Sequence, residues 1–104
     1  MKLKLEFQYF EGCPNHTKMQ NNIAEAIKGL EDKIELKKIL VEDASTAKQV
    51  AFRGSPTLLI NGEDIEGVPA PEEPTLACRF YIGGMPDSDK LREMIIQKIN
   101  MENK

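Results

Sequence analysis

The hydrophobic pattern changes its period near residue 12 of the chain. Residues 2 to 10 alternate apolar with polar side chains, which predicts a strand with one buried face. Beyond residue 14 the apolar side chains recur every three or four positions, which predicts an amphipathic helix of about four turns. Its apolar positions are Met19, Ile23, Ala26, Ile27 and Leu30. Because proline fits the first helical turn, Pro14 places Cys13 at the N-terminus of this helix.

The central third of the chain predicts two further strands around a short helix. Residues 34–41 form the second strand, and Asp43 or Ser45 caps a helix that ends near residue 52. Residues 57–60 form a short apolar strand, followed by Asn61-Gly62, a dipeptide typical of hairpin turns. The pattern therefore predicts a hairpin whose turn lies at these two residues.

The last third contains a long irregular stretch before its final elements. Residues 63–75 combine three prolines with several acids, among them Asp64, and we expect a solvated surface loop inserted into the hairpin. Residues 76–82 are predicted to return as the fourth strand, and Asp87 or Ser88 to cap a final helix. The order β-α-β-α-β-β-α predicts an α/β fold, a mixed four-stranded sheet with helices on its faces. A right-handed crossover makes the first two strands parallel neighbours.

Composition and charge limit the classes of partner. With 104 residues, 40% of them hydrophobic and 30% charged, the chain is predicted to form one globular domain over residues 1–104. Its net charge of -3 does not provide the basic surface of a nucleic-acid binder. Neither a secretory signal nor a run of about 20 apolar residues occurs, so we expect a cytoplasmic protein without a membrane partner. We expect no cofactor and no resident metal, and the oligomeric state is left open.

The two cysteines are not required for stability in a domain of this size, because its core buries enough surface without them. In a cytosolic chain such cysteines are more often free, catalytic or metal-binding than structurally bridged. A thiol at a helix N-terminus faces unpaired N–H groups that favour the thiolate, so Cys13 is predicted to be a nucleophile. The alternative is a small buried residue packed beneath the helix.

Three motifs carry a resemblance to a known family. They are Tyr9-Phe10-Glu11-Gly12-Cys13-Pro14, Gly54-Ser55-Pro56-Thr57 and Cys78-Arg79-Phe80-Tyr81. A cysteine after the first strand and a Ser-Pro-Thr before the third are typical of the thioredoxin-like superfamily, and the element order resembles that family over almost the whole chain. Within it, the chain looks like small proteins often labelled alkylmercury-lyase-like.

The resemblance implies a fold and a set of site residues. It implies a thioredoxin-like fold with a cis Ser55–Pro56 bond that aligns an extended thiol substrate beside Cys13. The alternative is an ordinary trans proline that opens an edge strand. The predicted catalytic residues are Cys13, His16 and Pro56, and the predicted substrate-binding residues are Gly12, Pro14, Ser55 and Thr57.

His16 stands where the dithiol oxidoreductases of this family carry their second cysteine. It lies one helical turn from Cys13, where it could ion-pair with the thiolate, accept its proton or join it as a metal ligand. An exposed residue without a role is the alternative. Arg79 could contact an anionic thiol or simply lie at the surface.

The position of Cys78 decides whether an internal disulfide or a shared metal site with Cys13 is possible. On a strand that begins at the far end of the sheet it would lie beyond the roughly 7 Å between Cα atoms that a disulfide allows, so we predict that it is free. If the proline-rich loop instead carries it back, Cys13, His16 and Cys78 could hold a soft metal or an organomercurial.

Three functional hypotheses follow. The first is a monothiol redox protein, in which Cys13 exchanges with a small thiol or a thiol/disulfide protein partner. The second is a soft-metal or organomercurial binding module. The third is a non-catalytic thioredoxin-fold interaction protein, whose function would survive Cys13→Ser.

Overall fold

A computed structural model describes residues 2–81 and 83–102 of the chain. A 3-10 turn at Glu31–Lys33 precedes the second strand. The remaining elements are β1 (Leu3–Tyr9), α1 (His16–Ala26), β2 (Ile34–Leu40), α2 (Ala44–Gln49), β3 (Thr57–Ile60), β4 (Glu63–Asp64) and α3 (Ser88–Glu102).

The four strands form one mixed sheet in the order β2-β1-β3-β4. β1 pairs with β2 in parallel, from Leu3 opposite Ile34 to Tyr9 opposite Leu40. β3 is antiparallel to both β1 and β4. The predicted parallel pairing of the first two strands and the predicted mixed four-stranded sheet are therefore confirmed.

The core lies where one face of the sheet meets α1 and α3. The alternation along β1 buries Leu3, Leu5 and Phe7, and the helical spacing buries Met19, Ile23, Ala26, Leu91, Ile95 and Ile99. A second, smaller cluster joins α2 to the chain on either side of it, through Val41, Ala47 and Phe52. Because the buried residues of β1 and α1 are the ones whose periodicity predicted these elements, the same pattern sets both local structure and packing there.

The helix caps agree in part with the sequence. Asp43 caps α2, since its carboxylate accepts a hydrogen bond from the Thr46 N–H at 2.7 Å. At α3, the Asp87 carboxylate accepts one from the Lys90 N–H at 2.9 Å. In contrast, α1 begins at His16, after its N-cap Asn15, and so later than Pro14 predicted. None of the helices formed by the described residues is long and apolar enough to span a membrane.

The prediction of the fourth strand at residues 76–82 is wrong. β4 follows the Asn61-Gly62 turn directly, and both turn residues have positive φ values of 51° and 84°, as a two-residue hairpin turn requires. The irregular stretch therefore follows the hairpin, from residue 65 to α3, instead of interrupting it. Residues 76–81 contribute one isolated bridge between Cys78 and Ser55, and Ile82 lies outside the described residues.

Candidate functional site

Cys13 lies in the turn between β1 and α1. Its N–H donates to the Phe10 carbonyl at 3.1 Å, which closes the turn, and the residue has 0% of its surface exposed. Because α1 begins only at His16, Cys13 stands two residues before the N-cap. The sequence placed it at the helix N-terminus, so the contribution of the helix dipole to its chemistry is smaller than predicted.

Cys78 is bonded to Cys13. Their sulfur atoms are 2.12 Å apart and their Cα atoms 5.6 Å apart, and the described residues contain no free cysteine. The predictions of a free Cys78 and of a monothiol protein are therefore wrong. They assumed that Cys78 lies on a returning strand that starts far from Cys13. Instead, the segment after β4 carries Cys78 back to the start of β3, the chain path that the metal-site alternative had required.

Ser55 connects the two cysteine-bearing segments. Its N–H donates to the Ala77 carbonyl at 2.9 Å, and its carbonyl accepts from the Arg79 N–H at 2.8 Å. The backbone of Ser55 is therefore hydrogen-bonded to the residues on either side of Cys78. Its hydroxyl oxygen accepts from the Phe10 N–H at 2.9 Å. One buried serine thus fixes the position of both segments, and its two backbone hydrogen bonds are those that one strand makes with its neighbour.

The residues after Ser55 complete this side of the site. The Ser55–Pro56 peptide bond is cis, and the Pro56 carbonyl accepts a hydrogen bond from the Tyr81 hydroxyl at 2.8 Å. The buried Thr57 hydroxyl donates to the Gly54 carbonyl at 2.6 Å. All three residues were predicted as site residues, and the structure places Ser55 and Pro56 in direct contact with residues 77–81.

Gly12 and Pro14, the other predicted substrate-binding residues, flank Cys13 in the turn and are exposed. Exposure leaves them accessible to a ligand beside the buried Cys13. Their role in binding stays a prediction.

A buried ion pair connects Asp64 on β4 to Arg79. The two guanidinium nitrogens lie 2.5 and 2.8 Å from the two carboxylate oxygens, and the side chains of Arg79 and Asp64 are only 8% and 0% exposed. Arg79 also donates to Thr57 at 3.2 Å and lies over the Tyr81 ring, 4.5 Å from its centroid. The sequence had treated Asp64 as a solvated loop acid and Arg79 as an anion contact or a surface residue. Asp64 is buried and paired and Arg79 is not a surface residue, so both of these interpretations are wrong, whereas a contact of Arg79 with an anionic thiol stays a prediction.

The surroundings of this pair keep both groups charged. Burial disfavours the Asp64 carboxylate, but hydrogen bonds from Arg79, Val68 and Glu66 outweigh it and hold the pKa of Asp64 below its ordinary value. Burial likewise disfavours the Arg79 cation, and the hydrogen bonds to Asp64 outweigh it, so the pKa of Arg79 is raised. Burial raises the pKa of Tyr81, which keeps its hydroxyl protonated as a donor to Pro56.

His16 lies at the start of α1 with its ring stacked on Tyr9, the ring centroids 5.4 Å apart. Its Nδ1 atom is buried without a hydrogen-bond partner among the described residues. A catalytic role toward Cys13 stays a prediction. Over residues 2–81 and 83–102, His, Cys, Asp and Glu side chains form no group of three or more that could hold a metal ion.

The sheet order, the packed helices and the position of Cys13 after β1 define a thioredoxin-like fold. Among solved structures, the chain is similar to the crystal structure of chloroplastic thioredoxin z, with a TM-score of 0.63 and 14% identity over 96% of this chain and 80% of that chain. At that identity the likeness shows the fold alone. No protein-family model matches the sequence, and no curated protein matches it.

Proposed function

We propose that the protein is a thiol-disulfide redox protein whose working pair is Cys13 and Cys78. The observation that carries the proposal is the bond between these two residues, made across 65 positions of sequence, with Cys78 bridged to Ser55. Cys78 would supply from a loop the second thiol that dithiol oxidoreductases of the family carry at the position of His16. A bridge that forms and opens also agrees with the predicted cytoplasmic location, where disulfides are mostly transient.

Exposure favours Cys78 as the sulfur that meets the partner. Cys13 has no exposed surface, whereas Cys78 is exposed. A partner thiolate would attack the Cys78 sulfur, the bond between the two cysteines would break, and the Cys13 sulfur would leave with the electron pair as a thiolate. A second partner thiolate would then attack the partner sulfur of this mixed disulfide and release Cys78 as a thiolate. The protein disulfide gains two electrons, and two partner thiols become one disulfide.

The reverse direction gives Cys13 a different role from the one predicted. Starting from the dithiol, the Cys78 thiolate would attack one sulfur of a partner disulfide, so that the partner's S–S bond breaks, its other sulfur leaves as a thiolate and a mixed disulfide with Cys78 forms. The Cys13 thiolate would then attack the Cys78 sulfur and expel the partner as its thiolate. Cys13 is thus the resolving thiol in this scheme, and Cys78 is the one that meets the substrate.

Thiol counting in oxidising and reducing buffers tests the proposal. Wild-type protein, Cys13→Ser and Cys78→Ser are equilibrated with glutathione at several ratios of reduced to oxidised form, quenched with a thiol label and weighed intact. We expect the wild type to lose both labelled thiols together and reversibly, without added glutathione mass, and each variant to form only mixed disulfides. A wild type that keeps two labelled thiols under oxidising conditions would rule the proposal out.

The other two hypotheses have no observation in their favour. A soft-metal or organomercurial site of Cys13, His16 and Cys78 would require the reduced protein, because the bridge occupies both sulfur atoms. A non-catalytic interaction protein would keep its function after Cys13→Ser, and it remains an outcome of the same set of variants.

A further inference from the structure

The Cys78 segment, residues 77–81, is attached to the sheet by contacts that do not involve sulfur. Ser55 holds its backbone through two hydrogen bonds, and the Tyr81 hydroxyl donates to the Pro56 carbonyl. Between these contacts, Arg79 forms its two-pronged ion pair with Asp64. The segment would therefore keep these attachments when the disulfide opens.

Asp64 is itself a fixed anchor. It pairs with Leu59 in the sheet, and its carboxylate accepts hydrogen bonds from the N–H groups of Glu66 at 2.9 Å and Val68 at 3.1 Å. Separating it from Arg79 would leave a buried charge without its partner, which is strongly unfavourable. The ion pair thus resists the release of the Cys78 segment more than the exposed contacts of a loop would.

The Cys78 segment also occupies the backbone edge of Ser55. An extended peptide that pairs with a strand uses its free N–H and carbonyl groups, and both groups of Ser55 are already bonded to Ala77 and Arg79. The approach is close, since a Cβ atom at Gly54 would lie 2.9 Å from the Arg79 Cβ. A peptide cannot pair at Ser55 while the segment is in place, whereas a small thiol can still reach the exposed Cys78.

We propose that Asp64 and Arg79 are positioning residues that hold the Cys78 segment on Ser55 in both redox states, so that the site exchanges with low-molecular-weight thiols. This inference rests on the proposed function. With the segment held, the two thiols of the reduced protein stay close together, and closing the bridge requires little further ordering of the chain. The ion pair of Asp64 and Arg79 therefore raises the equilibrium constant for the reaction of the dithiol with oxidised glutathione. This reaction yields the bridge and two molecules of reduced glutathione.

The first test measures that equilibrium constant in folded protein. Asp64→Asn keeps the size of the side chain and removes its charge, Tyr81→Phe removes one hydrogen bond, and Phe80→Ala is the matched control, because Phe80 belongs to the same segment and is 83% exposed. We expect the equilibrium constant to fall about tenfold or more for Asp64→Asn, which corresponds to about 30 mV for a two-electron couple. For Tyr81→Phe we expect a smaller fall in the same constant. Phe80→Ala should match the wild type. Equal constants for wild type and Asp64→Asn would overturn the positioning role.

The second test follows amide hydrogen exchange in the reduced wild type. The N–H groups of Ser55 and Arg79 are the donors that attach the Cys78 segment, so we expect both to stay protected after reduction and to lose protection in reduced Asp64→Asn. Loss of protection in the reduced wild type would contradict the inference. This measurement shows whether the Cys78 segment stays attached after reduction, even if Asp64→Asn does not fold.

The choice of partner is tested by rates. Glutathione and an extended peptide with one central cysteine are compared as reductants of the oxidised wild type and of Asp64→Asn. We expect glutathione to reduce the wild type faster than the peptide does. In Asp64→Asn we expect the rate with the peptide to rise relative to the rate with glutathione. A peptide that reacts as fast as glutathione with the wild type would refute the small-thiol preference. If the wild type forms no bridge at all, the proposed function fails, whereas a bridge insensitive to Asp64 overturns only the positioning role.

Discussion

At the scale of single residues, the two cysteines differ in what can reach them. Cys13 lies in the turn after β1 and has no exposed surface, whereas Cys78 is exposed. Thiol exchange requires that the attacking sulfur approach along the line of the bond it breaks, so access decides which sulfur is attacked. The difference in exposure therefore predicts a fixed order of reactivity.

Alkylation of the reduced protein measures this order. Because Cys13 has no exposed surface and Cys78 is exposed, we expect iodoacetamide to modify Cys78 about tenfold or more faster than Cys13, as peptide mapping at successive times would show. Cys13→Ser serves as the control, since it should leave the rate at Cys78 unchanged. Equal rates, or faster modification of Cys13, would contradict the roles proposed for the two thiols.

Asp64 predicts a pH dependence of stability. Its folded-state pKa lies below the ordinary value of 3.8, so its contribution is fully present above that pH and is lost as the pH falls through the lowered pKa. We expect Asp64→Asn to lower the free energy of unfolding by roughly 3 kcal/mol near neutral pH, because it leaves Arg79 buried without a charged partner. Urea unfolding of both proteins should show this difference shrinking below pH 3.8. A difference that grows in acid would contradict the assignment.

At the scale of elements, the hairpin of β3 and β4 places the anchor for the Cys78 segment. The Asn61-Gly62 turn sets the register in which Asp64 lies opposite Leu59, and Asp64 then reaches Arg79. Gly62 has a φ of 84°, and among the described residues no atom lies within 4 Å of the place where a Cβ would stand, so the cost of replacing it is conformational strain and not a clash.

Substitutions at Gly62 test the turn. We expect Gly62→Ala to lower the free energy of unfolding by about 1 kcal/mol, and Gly62→Asn to lower it less, because asparagine adopts this backbone conformation more readily. Thermal and urea unfolding of the two variants provide the measurement. An alanine variant as stable as the wild type would show that the turn does not carry the conformation described.

The sequence predicted the elements with a regular hydrophobic period better than it predicted this hairpin. The alternation along β1 and the helical spacing of Met19 and Ile23 identified their elements, because local periodicity reports directly on burial. A two-residue turn at Asn61-Gly62 requires a strand immediately after it. A prediction that started the next strand at residue 63 for this reason would have placed β4 correctly.

The position of Cys78 could not be predicted in this way. It depends on contacts of Arg79 with Asp64 and Thr57, which are distant in sequence and leave no periodic trace in the irregular residues around them. Ser55 and Pro56 precede β3 directly, and their position beside residues 77–81 follows from that regular element. The position of Cys78 is set by a loop and was not predicted.

At the scale of the whole molecule, the disulfide connects the start of the chain to the loop before its last helix. It closes a sequence separation of 65 residues, for which restriction of the unfolded chain contributes about 4 kcal/mol. The core between the sheet, α1 and α3 does not include either cysteine. The fold is therefore expected to persist without the bridge, with lower stability.

Reduction of the wild type tests this expectation. We expect the reduced protein to keep its circular dichroism spectrum and to lose about 4 kcal/mol of unfolding free energy, with the Cys13→Ser/Cys78→Ser double variant as the control for reductant effects. An unfolded reduced protein would mean that the bridge is a structural requirement and not a working redox pair.

The glutathione equilibrium of the two thiols tests the central claim most directly. The account predicts that Cys13 and Cys78 of the folded wild type titrate together as one reversible two-electron couple, and that the product of oxidation is the internal bridge. Two thiols that stay free under oxidising conditions, or that are each capped independently by glutathione, would contradict it.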